Sequence, residues 1–144
     1  MNRSLDQWLD YQLRIHSLPI AMGLERVRVV AGRLDLLRLP CPVISVAGTN
    51  GKGSTVAFIE AIAMASGLKV GAFTSPHFLR YNERIRINGD EVTDSELIGA
   101  FEAIESARAE IPLTYFEFGT LAALYLFAKA DMDLAVLEVG MGGR

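Results

Sequence analysis

The chain has 144 residues, 51% of them hydrophobic and 22% charged, with a formal net charge of −3. That is room for one domain with a sizeable core in the ordinary balance of a globular protein, and the acidic sum argues against nucleic acid or an anionic membrane as a general partner. Cys41 is the only cysteine, which excludes an internal disulfide and a cysteine metal cluster, and with no apolar run near the roughly 20 residues of a membrane helix and no signal-peptide core after Met1, a cytoplasmic location is expected.

Ser4 and Gln7 have capping-box spacing. Leu5, Leu9 and Leu13 then recur at i, i+4, with Trp8 and Ile15 beside them, predicting a helix with that face buried. His16-Ser17-Leu18-Pro19 breaks it. A second helix is expected over about Leu24 to Leu37, with Leu24, Val27, Ala31 and Leu34 as its apolar stripe. Pro40 and Pro42 end that region. Val43 to Ala47 is a continuous apolar run, predicted as a parallel strand covered on both faces.

The next stretch is Gly48-Thr49-Asn50-Gly51-Lys52-Gly53-Ser54-Thr55, followed by a helical segment to about Met64. A strand, a glycine-rich turn carrying a lysine and a helix start form a cradle for phosphates. Glycines let backbone N–H groups turn toward an anion, and the helix N-terminus adds partial positive charge. Lys52 would neutralise outer phosphates, and a hydroxyl of Ser54 or Thr55 would reach Mg²⁺. The pattern departs from the common phosphate loop at Val46, where a glycine is usual, and at Gly53, where Ser or Thr is usual.

Gly67 reads as a helix C-cap. Lys69 to Phe73 is the next strand, completing a βαβ unit. Arg84 to Ile87 alternates and leads into the turn signal Asn88-Gly89. Thr93 with Glu96, and Thr114 with Glu117, repeat the capping box. The first opens a helix facing inward with Leu97, Phe101 and Ile104. The second precedes Leu121 to Ala128, apolar on nearly all sides and so a buried helix. Leu134 to Val139 is a last buried strand. The sum is an α/β domain with a mostly parallel sheet, whose ligands sit beyond the carboxyl ends of the strands. The loops at Gly48, Thr74 and Gly140 leave such ends.

Glu138 interrupts Leu134-Ala135-Val136-Leu137 near the end of a buried strand, where a carboxylate is costly unless it meets a cation. It suits a Mg²⁺ partner, and a strand-end pair with Arg144 is the alternative. In Thr74-Ser75-Pro76-His77, Ser75 offers an oxygen that magnesium prefers to the nitrogen of His77; an ordinary Ser-Pro turn explains the segment equally well. Arg80, Arg84 and Arg86 flank Tyr81-Asn82-Glu83, either as an anion attractor or as a solvated, partly salt-bridged loop. Tyr115 and Phe116 serve either as core residues beside a cap or as a stacking surface for a flat aromatic ligand.

Taken together, Gly48-Thr49-Asn50-Gly51-Lys52-Gly53-Ser54, Thr74-Ser75-Pro76-His77, Tyr81-Asn82-Glu83-Arg84-Ile85, Thr114-Tyr115-Phe116-Glu117 and Leu137-Glu138-Val139-Gly140-Met141-Gly142-Gly143-Arg144 resemble, in this order, the motifs of the bifunctional dihydrofolate synthase/folylpolyglutamate synthase family of the Mur ligase superfamily. The resemblance runs from about Leu5 to Arg144, and the unusual lysine loop is the form that superfamily uses. Only 47 residues precede Gly48, which fits the folate branch rather than the peptidoglycan ligases with their preceding UDP-binding domain.

The resemblance implies an ATP- and Mg²⁺-dependent ligase. A carboxylate of dihydropteroate or of a folate takes the γ-phosphoryl group of ATP, and the amine of L-glutamate then displaces phosphate from the acyl phosphate. It implies that Thr49, Asn50, Gly51, Lys52, Gly53 and Ser54 hold ATP, with Lys52 and Glu138 in catalytic roles. Ser75 and Glu138 would be the Mg²⁺ ligands. Ala21, Met22, Gly23 and Leu24, with Thr114, Tyr115, Phe116 and Glu117, would border the pterin. The family motif continues past Arg144 and is followed by a histidine metal ligand, a carbamylated lysine and a C-terminal domain. Residues 1–144 are therefore expected to be a truncated N-terminal ATP-binding domain of a monomeric cytoplasmic enzyme, inactive alone. Two other readings share the lysine loop and Glu138: a general P-loop ATPase or kinase, and a non-catalytic MgATP-binding fragment.

Overall fold

The computed structural model describes residues 2–15, 25–48 and 51–138. In chain order the helices are α1 (Leu5–Ile15), α2 (Glu25–Arg33), α3 (Lys52–Ala65), α4 (Asp94–Arg108) and α5 (Tyr115–Ala130). The strands are β1 (Val43–Val46), β2 (Val70–Phe73), β3 (Ile85–Ile87), β4 (Asp90–Glu91) and β5 (Leu134–Glu138), with a 3-10 turn over Tyr81–Arg84 before β3. Two compact units result: Met1–Arg38 with Thr93–Leu126, and Leu39–Val92 with Phe127–Arg144.

In the first unit all three capping boxes form. Ser4 and Gln7 exchange backbone-to-side-chain bonds at 2.8 and 3.2 Å, Thr93 and Glu96 at 2.8 and 3.1 Å, and Thr114 and Glu117 at 2.9 and 3.1 Å. Each box satisfies two of the amides a helix start leaves without a partner. The α1 face is rotated from the leucine stripe: Leu5, Trp8 and Gln12 are buried, while Leu13 is 57% exposed. The indole of Trp8 explains the rotation, because it packs on Phe101 at 6.0 Å and Phe101 meets Phe118 edge-on at 6.1 Å. Aromatic burial outweighs one leucine. Helix α2 is shorter than its apolar pattern. It ends at Arg33 in a left-handed closing turn, with Asp35 at φ 61° and Leu36 N–H bonded to Ala31 O at 2.8 Å. That turn buries Leu36, and Val30 replaces Leu34 on the inner face.

In the second unit the five strands lie in the order β1-β5-β2-β3-β4. β1, β5 and β2 are parallel, and β3 and β4 complete the sheet antiparallel. β5 lies between the two strands that α3 connects, so β1 and β2 are not neighbours. β1 is an edge strand, with Val43 43% and Ile44 38% exposed, in place of the doubly covered strand its composition predicts. β2 begins at Val70; Lys69 instead places its amide on the Asp133 carboxylate at 2.8 Å. Asn88 and Gly89, both at positive φ, form the two-residue hairpin turn between β3 and β4. Gly67, at φ 86°, closes α3 as its position foretells, with Leu68 N–H on Ala63 O.

Val56 and Ala63 of α3 pack with Val70, Ala72, Leu134 and Val136 of the sheet. A methyl group on Gly71 would sit 2.5 Å from the Phe127 ring, so the bare backbone there admits the ring. The register pairs Val46 with Glu138 and Phe73 with Leu137, which brings the carboxyl ends of β1, β5 and β2 level with one another.

Candidate functional site

Gly48 and Gly51 adopt φ 140° and 75°, conformations that favour glycine, and α3 starts at Lys52. Unlike α4, this helix has no side-chain cap. Its first internal bond is Thr55 N–H to Gly51 O at 3.0 Å, and the Thr55 hydroxyl bonds the same carbonyl at 2.9 Å. The amides of Gly53 and Ser54 therefore belong to the turn whose N–H groups find no acceptor inside the helix. Both residues are exposed. Thr49 and Asn50 lie outside the described residues.

Lys52 donates to Gly48 O at 2.9 Å, closing the loop on itself, and its Nζ stands 4.0 Å from Glu138 Oε2. Glu138, 7% exposed at the end of β5, accepts the Ser75 amide on its other oxygen at 3.1 Å. The structure thus brings together Lys52, Ser75 and Glu138, which are distant in sequence, and lines one cavity of about 520 Å³ with Gly53, Thr74, Ser75 and Glu138. The suggested partner of Glu138, Arg144, lies outside the described residues.

Two further side chains line that cavity, Glu60, for which the sequence carries no expectation, and Arg86, for which it carries two. Glu60 is buried on α3, and Arg86 reaches it from β3 with Nε at 3.0 Å from Oε2 and Nη2 at 2.9 Å from Oε1. Arg86 Nη1 also donates to the Thr74 hydroxyl at 3.3 Å and to Glu83 O at 2.9 Å. Of the two readings of the arginine cluster, the salt-bridged one holds for Arg86. The available signal was a single carboxylate inside the apolar run Val56 to Ala65.

The segment from Ser75 to Arg84 is held by its own polar groups. The Glu83 carboxylate accepts the amides of Phe78, Leu79 and Arg80 at 2.7, 3.0 and 3.1 Å, and these bonds hold its pKa below the ordinary carboxylate value. Arg84 Nε donates to His77 Nδ1 at 2.8 Å. Burial, with the Arg84 charge beside it, pushes the imidazole pKa down, so His77 is a neutral acceptor here.

The donors at the cavity suit a hard cation. Ser75 and Glu138 supply oxygen, and the described residues contain no group of three His, Cys, Asp or Glu side chains that could enclose a metal. Oxygen donors are the kind magnesium takes: one or two carboxylates, several waters and substrate phosphates.

Of the residues expected to border a pterin, Thr114 to Glu117 fall in the first unit. Thr114 and Glu117 are buried, and Phe116 is 37% exposed. Glu117 carries two loads, accepting Thr114 N–H on Oε1 and Arg26 Nη2 on Oε2 at 2.7 Å. The cap assigned from sequence is therefore present, and Arg26 is the neighbour that spacing did not reveal. Ala21, Met22, Gly23 and Leu24 lie outside the described residues.

No family model matches the chain. It is 54% identical over 141 residues to the dihydrofolate synthase/folylpolyglutamate synthase of Escherichia coli K12, covering 97% of this chain and 33% of that protein. Among solved structures it superposes on E. coli FolC in complex with DHPP and ADP with a TM-score of 0.93 and 52% identity. It also superposes on the bifunctional folylpolyglutamate synthase/dihydrofolate synthase of Yersinia pestis complexed with AMPPNP and Mn ion, with a TM-score of 0.93 and 54% identity. Each superposition covers 98% of this chain and 34% of the other. The chain thus spans about a third of the length of the relatives it matches. No helix among the described residues is long and apolar enough to cross a membrane.

Proposed function

We propose that this chain, which belongs to the dihydrofolate synthase/folylpolyglutamate synthase family, is the ATP-binding part of a cytoplasmic ligase that joins L-glutamate to dihydropteroate and to folates. The observation that carries the reading is the convergence of Lys52, Ser75 and Glu138 at the carboxyl ends of three parallel strands, in a chain 54% identical to such a synthase.

In this reading Thr49 to Ser54 hold the nucleotide. The uncapped start of α3 faces its phosphates with backbone N–H groups, and Lys52 exchanges its bond to Gly48 O for a phosphate oxygen. Ser75 and Glu138 hold Mg²⁺, which when bound neutralises charge on the transferring phosphoryl group. Thr114 to Glu117, with Ala21 to Leu24, border the pterin, and Arg26 fixes the carboxylate of Glu117. The substrate carboxylate takes the γ-phosphoryl group with loss of ADP; the glutamate amine then attacks the acyl carbon, loses its proton, and phosphate leaves. Positioning and charge neutralisation are the protein's contribution. Because the relatives are about three times as long, residues 1–144 are proposed to bind MgATP without completing this cycle.

The test is ATP binding and ADP release by the chain with MgATP, dihydropteroate and L-glutamate, omitting each in turn, with Lys52→Ala as control. Binding that is strongly weakened in the variant, without release, is the expected result. Release requiring all three substrates would support the ligase and refute the inactivity of the chain. Release indifferent to dihydropteroate and glutamate would favour a general ATPase, and absence of ATP binding at millimolar nucleotide would overturn the reading.

A further inference from the structure

We propose that Arg86 is a positioning residue for the metal side of this site, its guanidinium fixing helix α3, the end of β2 and the turn over Tyr81–Arg84 relative to one another so that Ser75 is presented to Glu138. The inference rests on the nucleotide and metal reading above and deepens it.

Arg86 donates to both oxygens of Glu60, to the Thr74 hydroxyl and to the Glu83 carbonyl. A planar fork of N–H groups meets several acceptors at fixed angles, which a lysine ammonium does not reproduce. Each acceptor lies on a part of the candidate site. Glu60 is two turns along the helix that begins at Lys52. Thr74 immediately precedes Ser75, and its amide is bonded to Arg84 O at 2.8 Å. Glu83 anchors the amides of the loop after Ser75 through its carboxylate while its carbonyl receives Arg86.

The Glu60–Arg86 pair is also well shielded, with side chains 9% and 22% exposed. A polar hub enclosed in this way has few alternative arrangements, since any departure leaves desolvated groups without partners. The nucleotide end of α3 and the Ser75 oxygen are therefore held at one separation before any ligand arrives. A metal held by Ser75 and Glu138 would depend on that separation, whereas nucleotide binding without metal would rest on the lysine loop.

The test compares the chain with Arg86→Lys and Thr74→Val. Arg86→Lys keeps the charge and loses the fork; Thr74→Val removes the hydroxyl and leaves the Glu60–Arg86 pair intact. Three quantities are measured: Mn²⁺ affinity in the presence of ADP by electron paramagnetic resonance, ADP affinity in EDTA, and hydrogen exchange of the Ser75 amide. Both variants are expected to weaken Mn²⁺ about tenfold and to speed Ser75 exchange, with metal-free ADP affinity within twofold of the parent. A folded Thr74→Val variant with unchanged Mn²⁺ affinity, or an equal loss of metal-dependent and metal-free binding, overturns the positioning role. A parent chain that binds ADP identically with and without Mn²⁺ overturns the metal reading itself, and the role of Arg86 with it.

Discussion

Two cation–carboxylate pairs meet at the candidate site and are built in opposite ways. Arg86 and Glu60 meet with both carboxylate oxygens engaged at 2.9 and 3.0 Å. Lys52 and Glu138 stand 4.0 Å apart, and each spends a hydrogen bond on backbone instead: Lys52 on Gly48 O, Glu138 on the Ser75 amide. The first pair has satisfied its charges and serves structure. The second keeps its charges close but not directly bonded, leaving both able to take a ligand. Proteins tolerate such incompletely mated charge at sites where binding supplies the missing partner.

The sharpest way to break that comparison is to remove one cation. Lys52→Ala is expected to weaken ATP binding by roughly 100-fold, about 2.7 kcal/mol, while the melting temperature stays within a few degrees, since Lys52 joins no core cluster. Isothermal titration and a thermal melt decide it. An equal loss of stability would make Lys52 a structural residue and erase the contrast with Arg86.

Glu60→Ala should show the opposite pattern. It leaves the Arg86 guanidinium partly buried without its carboxylate, a loss of about 2–3 kcal/mol, at or below the lower end for a broken buried pair because Arg86 is 22% exposed. Urea unfolding reads the loss as a shift in midpoint at constant slope. A midpoint unchanged within error would mean that the bidentate geometry contributes no stability and that the pair is dispensable.

The sequence made one of these pairs far easier to read than the other. Glycines at Gly48 and Gly51, a lysine between an apolar run and a helix, and a carboxylate ending an apolar strand are local patterns, and local patterns survive folding. The three capping boxes are legible for the same reason, because each is closed by residues three apart. Long-range choices were not written in any window. Whether Leu13 or Gln12 faces inward depends on where Trp8 finds Phe101, 93 positions away. Whether β1 is covered depends on strand order, and β5 enters the sheet from the far end of the chain to sit between β1 and β2. Glu60 and Arg86 are 26 positions apart, so their pairing also appears only once α3 and β3 are assembled.

Glu138→Gln probes the incompletely mated pair more gently. The amide oxygen can still accept the Ser75 N–H, while the charge beside Lys52 is removed. A buried carboxylate in long contact with its cation carries a desolvation cost that a neutral amide avoids, so the melt should be unchanged or raised, by no more than about 1 kcal/mol, while Mn²⁺ affinity falls. A fall of several degrees would show that Glu138 already acts as a structural partner of Lys52.

The smallest expected effect distinguishes the loop from both pairs and comes from pH. His77 has its folded pKa depressed by burial and by Arg84, so its unfolded form binds a proton first as pH falls. Stability is then lost from about 6.5, the unfolded value, downward through the lower folded value. Protonation would also set Nδ1–H against the Arg84 donor that now meets its lone pair. Glu83 follows in the same direction at lower pH, losing stability as pH falls below its ordinary 4.5 and through its depressed folded pKa, because protonation weakens it as an acceptor for three backbone amides. Amide resonances of Phe78, Leu79 and Arg80, followed by NMR between pH 7.5 and 3, should shift in two separate steps, the first abolished by His77→Asn. Movement in a single step below pH 4.5 would assign the whole response to Glu83 and make the Arg84–His77 bond irrelevant to the loop.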